Sequence, residues 1–186
     1  MTQILRFMMI VLVISVGLVP PLQADQDKAA ANSVSTYRLG AGDKIKIQVY
    51  GEPDMGVEAT LSDAGTLVHP VLGEIKAAGL TIGELSGALV EELKGPYLVD
   101  PKVSVNILEY RQYYVNGEVQ EPGAYHYVPG LTVQKAVSVA GGFTQRASRT
   151  SINLISDTDP TQTPKEVGLD TPVNPGDILT IEESFF

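Results

Sequence analysis

Two stretches, Gly42-Asp43-Lys44-Ile45-Lys46-Ile47-Gln48-Val49 and Gly176-Asp177-Ile178-Leu179-Thr180-Ile181, launch a strand from the same Gly-Asp turn. In each, residues of high strand propensity follow in rough alternation, so one face is apolar and the other wet. Between them lies a second set of paired phrases. Gly73-Glu74-Ile75 returns as Gly117-Glu118-Val119, and Gly79-Leu80-Thr81-Ile82 returns as Gly130-Leu131-Thr132-Val133. The spacings differ, which rules out a tandem repeat of fixed period and points to two small α+β modules in series.

The first module opens near Tyr37. After the strand through Val49, Gly51-Glu52-Pro53-Asp54 turns the chain, Asp63-Ala64-Gly65 turns it again, and short extended runs follow at Thr66 to His69 and Gly73 to Ala77. A helix is predicted over Ile82 to Leu93. Thr81 and Glu84 supply a capping box, Leu80 and Leu85 a hydrophobic staple, Ile82, Leu85, Leu89 and Leu93 one apolar stripe, and Gly95 the stop. Alternation predicts a strand over Lys102 to Leu108, with Val103, Val105 and Ile107 on one face. The second module begins with a strand at Tyr113 to Gly117, turns through Glu121-Pro122-Gly123 and returns along Ala124 to Val128. Its helix runs from Val133 to about Ala140 and stops at Gly141-Gly142. Strands at Ser151 to Ile155, Glu166 to Leu169 and Asp177 to Glu182 complete it, with Asp157 to Pro164 a loop.

Upstream, Arg6, the twelve apolar or small residues Phe7 to Leu18, and Leu22-Gln23-Ala24 read as an export signal, residues 1–24, cleaved before Asp25. The run is short of the roughly 20 residues of a membrane-spanning helix. Leu22 is larger than cleavage sites prefer, so an uncleaved anchor stays open. Residues 25–36 read as a polar tether. The chain has no cysteine, hence no thiol nucleophile, thiolate ligand or lipid-acceptor cysteine. With 22 acidic residues against 13 basic, it would repel phosphate backbones, which argues against nucleic acid as a partner.

Nothing in the pattern reads as catalytic, and no cofactor is expected. His69 and His126 stand far apart without a cysteine or a His-x-x-x-His partner, so no metal site is expected. Glu52 and Asp54 could imitate a glycosidase carboxylate pair, but a solvated Pro-containing turn explains them better. Asp43 and Asp177 are expected to bond to their own turn backbone. Gly42, Gly117, Glu118, Pro122, Gly123, Gly141, Gly142 and Gly176 complete the set of structural turn motifs. Tyrosine is the favoured aromatic, with eight Tyr against four Phe and no Trp. Tyr110, Tyr113, Tyr114, Tyr125 and Tyr127 crowd the start of the second module. They are candidates for contact with sugar or a neighbouring subunit, or else for cross-strand packing within one sheet. Arg146 and Arg149 are candidates for pairing with a neighbour's acidic face, or are solvated loop charges.

Taken in order, Tyr37-Arg38-Leu39-Gly40-Ala41-Gly42-Asp43, Asp63-Ala64-Gly65, Pro70-Val71-Leu72-Gly73, Ala78-Gly79-Leu80-Thr81 and Pro101-Lys102-Val103-Ser104-Val105 resemble the polysaccharide export sequence domain of the outer-membrane polysaccharide export (Wza-like) family. Val115-Asn116-Gly117-Glu118-Val119, Pro122-Gly123, Ala140-Gly141-Gly142 and Pro175-Gly176-Asp177 resemble the soluble-ligand-binding β-grasp (SLBB) domain that follows it. The resemblance implies an export domain over residues 37–110 and a β-grasp domain over 111–186. It further implies a non-enzymatic component of an exopolysaccharide or capsule conduit in the periplasm at the outer membrane, assembled as a ring-shaped homo-oligomer. A periplasmic carbohydrate-binding or adaptor module, docking to an inner-membrane partner without forming a pore, is the second reading. The implied partners are the polysaccharide, an inner-membrane polysaccharide co-polymerase and a separate outer-membrane β-barrel. The barrel is expected because the sequence shows neither the lipid-bearing cysteine, the further β-grasp repeats nor the terminal amphipathic helix of larger relatives.

Overall fold

The computed structural model describes residues 36–184. The expected export signal, residues 1–24, and nearly all of the expected tether lie outside the described residues.

The first strand is built as its alternation dictates. In β1 (Lys44–Val49), Ile45, Ile47 and Val49 are buried, while Gln48 faces water and the two lysines are partly covered. β1 is the centre of a three-stranded antiparallel sheet, flanked by β2 (Val57–Thr60) and β5 (Val103–Glu109). The hairpin β3 (Thr66–His69) and β4 (Gly73–Lys76) forms a separate two-stranded sheet. Helix α1 (Ile82–Leu93) carries the expected capping box: Thr81 Oγ1 accepts from the Glu84 amide at 3.2 Å and Glu84 Oε2 accepts from the Thr81 amide at 2.8 Å. Leu85 and Leu89 are buried in one core with Ile45, Ile47 and Val105 of the sheet. Full burial of a leucine contributes roughly 1.5 to 3 kcal/mol, so this helix face anchors the module.

In the second module, β6 (Tyr113–Gly117), β7 (Gly123–Tyr125), α2 (Val133–Val139), β8 (Ala147–Ile155), β9 (Lys165–Glu166) and β10 (Ile178–Glu183) follow in sequence. The five strands form one mixed sheet ordered β7-β6-β10-β8-β9. Its first long strand, β6, runs parallel to the last, β10, and they lie side by side, which is the β-grasp arrangement. Val133, Ala136 and Val137 of α2 share a core with Tyr113, Val115, Leu179 and Ile181. The architecture is α+β, two modules in series.

Several elements differ from expectation for local reasons. β2 is an edge strand whose outward residues Glu58 and Thr60 face the lysines of β1, and its four residues carry too little alternation to be seen alone. β8 starts at Ala147, four residues early, because Ala147 pairs with Glu183 across a register shift in β10 while Arg149 and Thr150 stay exposed. β7 ends at Tyr125 and β9 has two residues, both at edges of the sheet where little buried surface defines them. β10 begins at Ile178 because Asp177 belongs to the turn.

Candidate functional site

The two Gly-Asp turns have the same construction. In each, the aspartate amide reaches back to the carbonyl three residues earlier, Asp43 to Gly40 and Asp177 to Asn174, both at 3.2 Å. The glycine before it has a φ of 90°, in Gly42 as in Gly176, the left-handed setting that a type II turn demands of its third residue. Each carboxylate then closes its own turn: Asp43 Oδ2 accepts from the Gly40 amide and Asp177 Oδ2 from the Asn174 amide, both at 2.8 Å. The second oxygen captures a distant backbone. Asp43 Oδ1 accepts from the Arg111 amide at 2.8 Å, and Asp177 Oδ1 accepts from the Asp157 amide at 3.1 Å.

Arg111 joins the two turns. Its Nη1 donates to Tyr37 Oη at 2.7 Å and to Asp43 Oδ2 at 3.2 Å, while Nη2 donates to Asp157 Oδ2 at 2.9 Å. Asp43 is fully buried and the Arg111 side chain is 14 % exposed, so this pair is sheltered from solvent screening. The guanidinium passes between glycines: a β-carbon on Gly40 would lie 2.3 Å from Nη1, and one on Gly176 would lie 2.9 Å from Nε. Tyr37 donates to Asp43 Oδ2 at 2.6 Å, and burial first, that bond second, push its hydroxyl well above the ordinary tyrosine range. Edge-to-face contacts continue from Tyr37 to Tyr110 at 5.0 Å and from Tyr110 to Tyr127 at 5.2 Å. The seam between the modules is therefore a buried ion pair roofed by three tyrosines.

A cleft of about 460 Å³ opens beside this seam, its wall including Glu109, Gln112, Tyr114, His126 and Asp157 over the Arg111 guanidinium. A second, broader trough of about 750 Å³ runs over the three-stranded sheet, where Lys46, Gln48, Tyr50, Lys102 and Ser104 line it.

The five candidate tyrosines separate. Tyr113 is fully buried in the second core, where it pairs with Tyr125 across β6 and β7, the ring centres 5.9 Å apart. It is unavailable to a sugar or a neighbour, and the cross-strand alternative is the one the structure adopts for this pair. Tyr125 is half-buried and its hydroxyl donates to the Glu121 carbonyl. Tyr110 and Tyr127 are half-buried in the seam stack. Tyr114 alone is exposed, at 44 %. Arg146 pairs with Glu183 of its own chain and Arg149 lies over the Phe143 ring at 5.8 Å, so each has an internal partner.

His69 is buried, its Nδ1 accepting from the Val71 and Leu72 amides at 3.3 Å each, and burial lowers its basicity. His126 is exposed at the cleft, Glu52 is exposed just before the 3-10 turn Pro53–Met55, and Asp54 is exposed within it. Among the described residues no group of three or more His, Asp or Glu side chains is placed to hold a metal ion. Glu118 accepts from the Thr144 hydroxyl at 2.5 Å, Gly123 opens β7 directly after Pro122, and Gly141-Gly142 end α2. Sequence reasoning missed Arg111 and Asp157. The one available signal was that Arg111 is the sole lysine or arginine between Lys102 and Lys135, set where the two modules join.

Residues 31–108 match the model of the polysaccharide biosynthesis/export protein family, and residues 112–164 match that of the SLBB domain. The boundary between the two matches falls at Arg111. Among curated proteins, the chain is 38 % identical over 136 residues to the exopolysaccharide production protein ExoF of Rhizobium meliloti (strain 1021), covering 63 % of this chain and 32 % of that protein. It is 29 % identical over 151 residues to the EPS I polysaccharide export outer membrane protein EpsA of Ralstonia solanacearum, covering 67 % and 39 %. It is 26 % identical over 108 residues to the polysialic acid transport protein KpsD of Escherichia coli, covering 57 % and 19 %. The chain thus spans well under half the length of these relatives. With an export domain followed by an SLBB domain, as its motifs implied, the chain belongs to the polysaccharide export family.

Proposed function

We propose that the chain is a non-catalytic component of an exopolysaccharide or capsule export conduit, acting in the periplasm at the outer membrane as a ring-shaped homo-oligomer. The observation that carries this reading is the ordered pair of domains, export then SLBB, in a chain similar to relatives named for polysaccharide production, export and transport. The fold supports it physically. A conduit needs small rigid modules, and here a buried ion pair ties the two together. Among the described residues no helix is long and apolar enough to cross a membrane. In this reading the polysaccharide passes from an inner-membrane co-polymerase through the assembled chain to a separate β-barrel, since only helices and closed barrels cross a bilayer.

Deletion and complementation in the native host test the proposal. Loss of the chain should abolish polymer secretion, and the wild-type chain should restore it. Glu52→Ala and Asp54→Ala should restore it equally well, and purified chain incubated with the polymer should leave its length distribution unchanged. Secretion that survives deletion, or polymer shortened by the purified chain, contradicts the reading.

A further inference from the structure

We propose that the cleft at the seam binds a neutral pyranose residue of a glycan, stacked on Tyr114 and hydrogen-bonded by Glu109, Gln112, His126 and Asp157. The proposal rests on the export reading for the presence of a glycan, but it names a site and a charge preference that the reading does not contain.

Shape and chemistry agree. A volume of about 460 Å³ falls inside the range of roughly 300 to 1,000 Å³ typical of ligand sites. Tyr114 stands between Tyr113 and Val115 on β6, both fully buried, and is the one tyrosine of the cluster turned outward. A pyranose has an apolar C–H face that suits such a ring and a rim of hydroxyls that must be hydrogen-bonded to leave water. The groups around Tyr114 meet that need: two carboxylates that accept, an amide that both donates and accepts, and an imidazole. Asp157 is held in place by Arg111 through Oδ2 alone. Floor and walls come from both modules, Gly42 from the first and Gly176 from the second, so a bound sugar would bridge the seam.

The charge preference follows from how Arg111 is used. It is the only arginine or lysine on the wall, and its Nη1 is taken by Tyr37 and Asp43, its Nη2 by Asp157, while Nε is buried. On the wall no cation is left to receive an acidic sugar, and Lys44 beyond it is already paired with Glu109 Oε1 at 3.5 Å, so the sugar carboxylate would meet Glu109 and Asp157 instead. Like charges brought together in one cleft repel. Neutral sugars escape that penalty.

The full chain should be titrated by calorimetry at mildly alkaline pH with cellohexaose, mannohexaose and a β-galactohexaose as neutral probes and hexagalacturonate as the acidic one. At least one neutral probe should bind and raise the melting temperature, as any ligand of the folded state does. Hexagalacturonate should bind at least about tenfold more weakly than that probe, a difference of ~1.4 kcal/mol. Tyr114→Ala should weaken binding about tenfold and Gln112→Ala severalfold, both with an unchanged melting temperature in the free protein. Tyr50→Ala, on the trough over the other sheet, should leave affinity unchanged. The inference is overturned if no neutral probe binds, if hexagalacturonate binds as well or better, or if Tyr114→Ala binds like wild type. Those failures leave the export reading standing when the chain still supports secretion, whereas secretion that persists without the chain overturns the export reading and not the cleft.

Discussion

Asp43→Ala should destabilise the chain by about 3 to 5 kcal/mol, the range for removing one partner of a buried ion pair. The cost comes from what is left behind. The Arg111 guanidinium stays in a site where its side chain is only 14 % exposed, now without the carboxylate 3.2 Å away. The Gly40 and Arg111 amides lose their acceptor, as does the Tyr37 hydroxyl. Each orphaned buried donor adds about 1 to 3 kcal/mol in isolation, although such penalties do not sum. Lys46→Ala provides the comparison. Its ion pair with Glu58 is shorter, at 2.7 Å, but both side chains are more than a third exposed and screened by solvent, and little loss of stability is expected. Urea denaturation of the two variants decides the matter. A midpoint for Asp43→Ala no lower than that of Lys46→Ala would mean that the seam does not hold the modules.

Gly117→Ala should cost about 3 kcal/mol or more, through two effects that a second glycine separates. Gly117 has φ 81°, and a left-handed setting costs a residue with a β-carbon roughly 1 to 2 kcal/mol. Its β-carbon would also lie 2.1 Å from the carbonyl oxygen of Ile181 in β10, which accepts from the Glu118 amide at 3.0 Å. Rigid backbone has to move, and it is the backbone of the strand at the centre of the five-stranded sheet. Gly79 has φ 86° with nothing within 4 Å of a β-carbon, so Gly79→Ala should show the conformational cost alone, about 1 to 2 kcal/mol. Equal destabilisation by the two substitutions would show that β6 and β10 yield to the added methyl group.

How much of this was legible in the sequence depended on whether the signal was local. The helix Ile82–Leu93 was readable because its cap, staple and stripe lie within a few residues of each other and all agree. The Gly-Asp turns were readable because their closing bonds span three residues. Their convergence was not. Arg111 meets Asp43 across 68 residues and Asp157 across 46, and no periodicity encodes a bond of that span. The tyrosines show the same division: pairing of Tyr113 with Tyr125 follows from a hairpin, whereas the stacking of Tyr37, Tyr110 and Tyr127 required both modules to be in place. β2 was missed because an exposed edge strand carries little apolar pattern, and the edge strands β7 and β9 were misplaced at their ends for the same reason.

If the chain works as an assembly, the protein purified from its native host under non-denaturing conditions carries the mass of that assembly. Native mass spectrometry should show a closed homo-oligomer of one definite subunit number, persisting on dilution. A stable monomer that retains affinity for neutral saccharides would contradict it and establish the chain as a binding or adaptor module instead.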